Sequence, residues 1–317
     1  MKKIILAITA LVSLHAGAQQ IALNSQYMYN ELLINPAVAG NKPYTPIGFA
    51  FRRQWAGIDA APVTQSLFGH GYLGGGFGLG GMIYNDVAGP SRRTGASLSM
   101  AYHFRLNDKM NLSFGLGGNV TQFYIDRDEL VTEIQGDQAV IMNTNNQLVP
   151  DANAGLWLYT ERLFVGVSAF QLIQSRVDLF DIQKNIENTL NRTMYFTGGY
   201  AIPVSEKFEI IPSTLFRFML DAPFALDVNA MFSYDKKYWL GGSFRLNDAV
   251  AVMAGFSVGQ FNFGYAYDIT LSDLKTYSNG SHEIYFGVHL KSNDNNKAPW
   301  KKRNRVYSSY TKSYSFD

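Results

Sequence analysis

The sequence contains no cysteine in its 317 residues. That excludes a disulfide framework, a thiolate metal site and a lipid anchor carried on an N-terminal cysteine. Charge is scarce: Asp, Glu, Lys and Arg make up 16% of the chain, against roughly 25% in an ordinary soluble domain. Beyond the first residues no apolar run approaches the ~20 residues that a membrane helix needs. The net charge is only +2, and Lys2 and Lys3 account for it. A local basic excess sits at one end, where Lys291 to Asp317 hold seven basic residues and two acidic ones. A nucleic-acid binder would spread a basic face over its fold, so no nucleic-acid partner is expected.

Aromatic residues and glycine are plentiful. Aromatics reach 14%, with 22 Phe and 19 Tyr, and Gly adds 29 residues, a composition unlike a disordered or a charged helical chain. From Pro43 onward the pattern alternates with period 2, the mark of strands with two unlike faces. Phe261, Phe263, Tyr265, Tyr267, Ile269 and Leu271 interleave with Asn262, Gly264, Ala266, Asp268 and Thr270. Leu112, Phe114, Leu116, Gly118 and Val120 do the same against Asn111, Ser113, Gly115, Gly117 and Asn119. Fourteen such segments run from Tyr44–Trp55 to His282–Leu290, among them Arg93–Leu106, Met110–Asp126 and Asp151–Thr160. Most reach the ~9–11 residues that a tilted transmembrane strand requires.

The connections fit the same picture. Tight turns such as Gly74-Gly75-Gly76 and Asn107-Asp108-Lys109 alternate with longer loops, of which Arg127–Pro150 is the longest. Short periplasmic turns with longer outer loops are the outer-membrane pattern. The expected fold is all-β, a transmembrane antiparallel up-and-down β-barrel of about 14 strands of the outer-membrane type. Its apolar face would meet outer-membrane lipid, since an open sheet edge is too costly in hydrocarbon. Tyr124, Tyr159, Tyr200, Tyr234 and Trp239, near strand ends, are expected in interfacial aromatic girdles.

Four regions follow. Residues 1–18 read as a cleavable signal peptide, with Lys2 and Lys3, an apolar stretch from Ile4 to Leu14, and Ala16-Gly17-Ala18 as an A-x-A site. Export then leads to the cell outer membrane. Residues 19–43 form an irregular segment with Asn-Pro and Gly punctuation, expected at the periplasmic mouth or as a plug in the lumen. Residues 44–290 are the barrel. Residues 291–317 form a basic periplasmic tail, with Lys297, Lys301, Lys302, Arg303 and Arg305 ahead of Tyr307, Tyr310, Tyr314 and Phe316. That composition suits a disordered tail or a docking peptide for an acidic or edge-strand partner.

Signals for catalysis are weak. Gly74 to Gly81 lacks the strand–loop–helix context of a phosphate loop and reads as a turn entering a barrel strand. His70, His103, His282 and His289 form no ligand pair of the HExxH kind. His282-Glu283 has no second catalytic signature beside it, and Asp126, Asp128 and Glu129 lack EF-hand spacing. Catalytic, metal and cofactor-binding residues are all expected to be none.

Several stretches carry a family resemblance. They are Gln26-Tyr27-Met28-Tyr29-Asn30, Ile34-Asn35-Pro36-Ala37-Val38-Ala39-Gly40, Arg53-Gln54-Trp55-Ala56-Gly57-Ile58-Asp59 and Ala61-Pro62-Val63-Thr64. Pro212-Ser213, Tyr265-Ala266-Tyr267-Asp268 and Gly280-Ser281-His282-Glu283-Ile284 continue the series. In this order they resemble the PorP/SprF family of outer-membrane proteins, from the type IX secretion and gliding motility systems of Bacteroidota. The resemblance implies a non-enzymatic component of protein secretion. The partners it implies are machinery lipoproteins or periplasmic ring components, or a large secreted surface adhesin with a C-terminal secretion signal.

Family-matching positions near strand ends are the candidate partner contacts: Asn35, Pro36, Arg53, Gln54, Trp55, Asp59, Pro62, Thr64, His282 and Glu283. Shaping turns and sealing the barrel is the alternative role for them. An open aqueous channel takes ~16–18 strands, so a filled barrel of about fourteen would not pass folded cargo. The rival reading is a passive outer-membrane channel for small apolar or amphipathic solutes, which needs an open lumen.

Overall fold

The protein is described by a computed structural model covering residues 24–130, 146–177, 189–220, 222–291 and 306–307. The expected leader and the basic residues of the tail from Lys297 to Arg305 lie outside the described residues. Strands β1 (Tyr44–Arg53), β2 (Val63–Gly74), β3 (Phe77–Ala88), β4 (Ser91–Arg105), β5 (Asn111–Ile125), β6 (Asn146–Tyr159) and β7 (Leu163–Phe170) each pair antiparallel with the next. Thr193–Tyr200, continued by Ile202–Pro203, then Phe208–Met219 and Ala222–Tyr234 carry the sheet onward. Tyr238–Arg245, Ala249–Val258, Phe261–Thr270 and Ser281–Lys291 complete it. The last strand pairs back on β1, with Tyr44 opposite Lys291 and Arg53 opposite His282. The result is a closed antiparallel barrel of 14 strands.

Alternation sorts the two faces. Phe49, Leu67, Leu98, Leu116, Leu156, Val228, Leu240 and Phe286 project outward and stay exposed, as lipid requires of an outer face. Inward positions are a mixture. Ser66, His70, Ser99, His103, Ser113, Asn153, Asp227, Asn229 and Asp268 are buried in the bore, but so are Trp157, Met231, Met253 and Tyr285. The hydrophobic core of this protein is therefore inside the barrel.

Several strand ends shift from the sequence expectation, and two of the shifts have a visible cause. β1 stops at Arg53 instead of Trp55 because Trp55 turns left-handed, with φ 44°. β6 begins at Asn146, well before Asp151, and takes in Pro150. Proline is tolerated there because β7 reaches only as far as Ala154, so at Pro150 the strand is paired with β5 alone. The aromatic girdle also needs correction. Tyr200 and Tyr234 do face outward, but Tyr159 and Trp239 point into the lumen, Tyr159 with 0% of its surface exposed. An aromatic near a strand end serves a packed bore as readily as a membrane interface.

Candidate functional site

What fills the bore is the chain's own N-terminal segment. Three short 3-10 turns, Tyr27–Tyr29, Glu31–Leu33 and Pro36–Val38, run through the lumen. Asn35 caps the third, its Oδ1 accepting from Ala37 N at 2.9 Å, and Pro36 sits at the first turn position. Asn35 Nδ2 donates to the carbonyls of Leu156 and Val167 at 3.0 and 3.2 Å. Ser113 Oγ donates to Ala37 O at 2.6 Å. His103 Nε2 donates to Ala39 O at 2.7 Å, so its Nδ1 accepts the Tyr159 hydroxyl at 2.9 Å. Glycines let the wall come this close. A Cβ on Gly115 would lie 2.3 Å from Ala37 N, and one on Gly78 would overlap Ala39 O.

Further along, Tyr29 stacks on Tyr285 and packs on Trp239, with centroids 5.0 and 5.1 Å apart. Tyr27 receives a hydrogen bond from Asn229 Nδ2 at 2.6 Å, and burial pushes its phenol well above the ordinary value. Two described residues of the C-terminal region, Val306 and Tyr307, are also buried in the bore. Tyr307 donates to Ser213 Oγ at 2.7 Å, and Lys42, paired with Glu31 at 3.0 Å, donates to Val306 O.

The end of the plug nearest the outer loops is held by charge. Glu283 accepts the backbone N–H of Ser25 at 2.7 Å and of Gln26 at 3.0 Å. Arg52 bridges Glu283 at 3.1 Å and Asp268 at 2.7 Å, and it donates to Ser25 Oγ at 2.9 Å. Arg245 extends the network to Asp227 and Asp248, each at 3.2 Å. Every one of these carboxylates except Asp248 is almost fully buried. A buried charge is tolerable only when paired and hydrogen-bonded, and here the pairing includes the plug's own backbone.

The ten sequence-predicted contact residues separate into two groups. Asn35 and Pro36 lie deep in the plug and Glu283 in the inner wall. Arg53, Gln54, Trp55, Asp59, Pro62, Thr64 and His282 gather on one sector of the outer rim. There the loop after β1 closes through Gln54 N to Pro62 O at 2.9 Å. Its Ala56 exchanges backbone hydrogen bonds with Gly280 and Asn279 at 2.7 and 2.6 Å, while Ala60 O accepts from Gly89. Trp55 N donates to Ser281 Oγ, Thr64 Oγ1 to Asp86 at 2.6 Å, and His282 Nδ1 lies 2.7 Å from the Tyr265 hydroxyl. Three outer connections are thus fastened into one cap, from which Arg53 and Asp59 project.

Between this rim and the plug lies a cavity of about 210 Å³. Leu32 and Leu33 of the plug form part of its lining, with Met82, Tyr84, Asn119, Asn153, Phe170, Gln171 and Met219 from the wall. Sequence reasoning did not single out Arg52, Ser25, Arg245 or this cavity. Arg52 was findable: it shares parity with Ala50, on the face opposite Phe49 and Arg53.

The sequence profile described as "Type IX secretion system membrane protein PorP/SprF" matches residues 16–288. The chain belongs to the PorP/SprF family. In this family member the matched region takes in the described plug and all but the end of the last strand. No curated protein matches it. Among solved structures it is similar to the toluene transporter TbuX of Ralstonia pickettii, at 10% identity and TM-score 0.50, over 83% of this chain and 93% of that one. The toluene transporter TodX of Pseudomonas putida matches at 10% identity and TM-score 0.46, over 87% and 95%. A FadL homologue of Pseudomonas aeruginosa matches at 9% identity and TM-score 0.44, over 86% and 99%. Likeness at this identity concerns the outer-membrane barrel fold, and this PorP/SprF protein shares it.

Proposed function

We propose that this PorP/SprF protein is a non-enzymatic, sealed barrel that serves type IX secretion by binding, holding either the machinery or one particular secreted adhesin. The observation that carries this reading is the filled bore. Wall carbonyls, glycines and a buried ion network all grip residues 24–42, which leaves the rims as the surfaces for partners. The outer cap around Trp55 and Asp59 is the contact surface we assign to cargo. The test is a mass-spectrometric comparison of surface and medium proteins with and without the gene. Loss of all type IX cargo makes the protein a general component, and loss of one adhesin makes it a dedicated escort. Unchanged cargo would overturn the reading. Trp55→Ala with Asp59→Ala should reduce secretion while the barrel still assembles.

One observation favours a second reading, passage of small apolar or amphipathic solutes. The cavity combines Leu32, Leu33, Met82, Phe170 and Met219, a lining suited to an apolar guest. Solute uptake that falls on deletion, with secretion intact, would support it.

A further inference from the structure

The outward face of the barrel changes character on one sector near the outer rim. On Phe208–Met219, Tyr238–Arg245 and Phe261–Thr270 it stays apolar to the outer end, with Phe218, Phe244 and Ile269 exposed there. On β2, β3 and β5 the apolar residues give way before the strands end. Two positions beyond the exposed Leu67, Ile83 and Val120, the same face carries Gln65, Asn85 and Gln122. The ladders set Gln65, Asn85, Thr94 and Gln122 opposite one another in a single row across β2 to β5. The next row outward runs through Arg53, Val63, Val87 and Arg92 and ends at Tyr124.

Depth decides what meets these rows. Two residues of strand advance about 7 Å, so side chains that far past Leu67, Ile83 and Val120 stand at the level of lipid headgroups. The charge there has one sign. Arg53 and Arg92 are both exposed, and neither has a hydrogen bond or ion pair among the described residues. No Asp or Glu stands in either row. The nearby carboxylates lie outside them: Asp59 is in the loop after β1, and Asp126, past the end of β5, accepts from Asp128 N at 3.2 Å. Across the closing seam from Arg53, His282 is engaged by the Tyr265 hydroxyl at 2.7 Å.

A guanidinium at headgroup depth pairs with phosphate oxygens through its planar fork. Arg53 and Arg92 are separated by three strand intervals, about 14 Å. A single phosphate does not bridge that span, whereas a disaccharide phosphorylated at both ends does. The row of amides and hydroxyl beneath supplies donors and acceptors for sugar hydroxyls and acyl linkages.

We propose that the outer ends of β1 to β5 form a binding site for a phosphorylated glycolipid of the outer leaflet. Arg53 and Arg92 hold its phosphates, the row from Gln65 to Gln122 meets its sugar, and its acyl chains lie on Leu67, Ile83 and Leu98. The assignment is independent of the secretion reading and moves Arg53 from the cargo surface to the lipid surface.

The test is native mass spectrometry of the full chain in detergent, titrated with diphosphoryl lipid A, with the dephosphorylated lipid and with phosphatidylglycerol. Diphosphoryl lipid A is expected to bind at least about tenfold more tightly than either of the others. Arg53→Gln and Arg92→Gln should each weaken it about fivefold, the effect of one basic residue at a charged membrane surface. The double variant should lose about 25-fold, since sites this far apart act independently. Lys109→Gln, which removes an exposed charge from a turn at the opposite end of the barrel, should change nothing. Retained barrel circular dichroism checks each variant, and Arg92→Gln carries the reading alone if Arg53→Gln does not assemble. Equal binding of the phosphorylated and dephosphorylated lipids would overturn the proposal. Equal binding of phosphatidylglycerol would overturn it too, because the sugar is then not recognised. An equal loss in Lys109→Gln would reduce the effect to diffuse attraction and remove the site.

Discussion

At the scale of single residues, the decisive side chain is Arg52. It pairs with two almost fully buried carboxylates, Asp268 and Glu283. Breaking a buried pair by removing one partner costs about 3–5 kcal/mol, because the remaining charge is stranded. Arg52→Ala should lower stability by that amount in urea unfolding from lipid vesicles, and Arg52→Lys should recover only part, having lost the forked geometry. The plug's phenols give a pH dependence. Burial raises the values of Tyr27 and Tyr29, so each is neutral in the folded state where a free phenol would ionise. Their contribution is complete below about pH 10, the free value, and is lost as pH rises through the raised values. Ultraviolet titration should show a set of tyrosines that ionise later in the native protein than in urea.

At the scale of elements, one strand supplies a paired experiment. Gly115 and Gly118 both lie in β5, but the first faces the plug and the second faces outward, where an added Cβ meets nothing within 4 Å. Gly115→Leu should expel the plug and open a conducting pore in planar bilayers, while Gly118→Ala should leave the barrel sealed. Strands were readable from sequence because period 2 survives in nearly every segment. What parity alone did not decide was the nature of the inner face. Trp239 shares its face with Gly241 and Ser243, and Tyr159 with Asn153 and Gly155, so alternation pointed both inward. Their aromatic character and position at strand ends pointed to the membrane interface. The irregular segment around Asn35 was legible as a distinct unit, but its resting place depends on glycines in β3, β5 and β6 that read equally well as ordinary barrel positions. The cavity was not legible at all, since its lining comes from single residues scattered over many strands.

At the scale of the whole molecule, the outer surface is apolar, the bore is packed and the charged network sits between plug and outer rim. A barrel so filled should show no stepwise ion conductance in planar bilayers as the intact protein; open-channel current from the native chain would contradict the packing described. The route of the N-terminal segment has a consequence for how the protein is made. Ser25 rests on Glu283, 258 positions later in the chain, and the wall is completed only when Tyr44 meets Lys291. Residues that precede the first strand are gripped by side chains of the fourteenth. The segment and the closing seam therefore complete one site together, since the two strands that shut the barrel are the ones that carry Arg52 and Glu283. Closure alone sets Arg52 opposite Glu283, and that buried carboxylate gains its Ser25 and Gln26 donors only when the lumen is loaded.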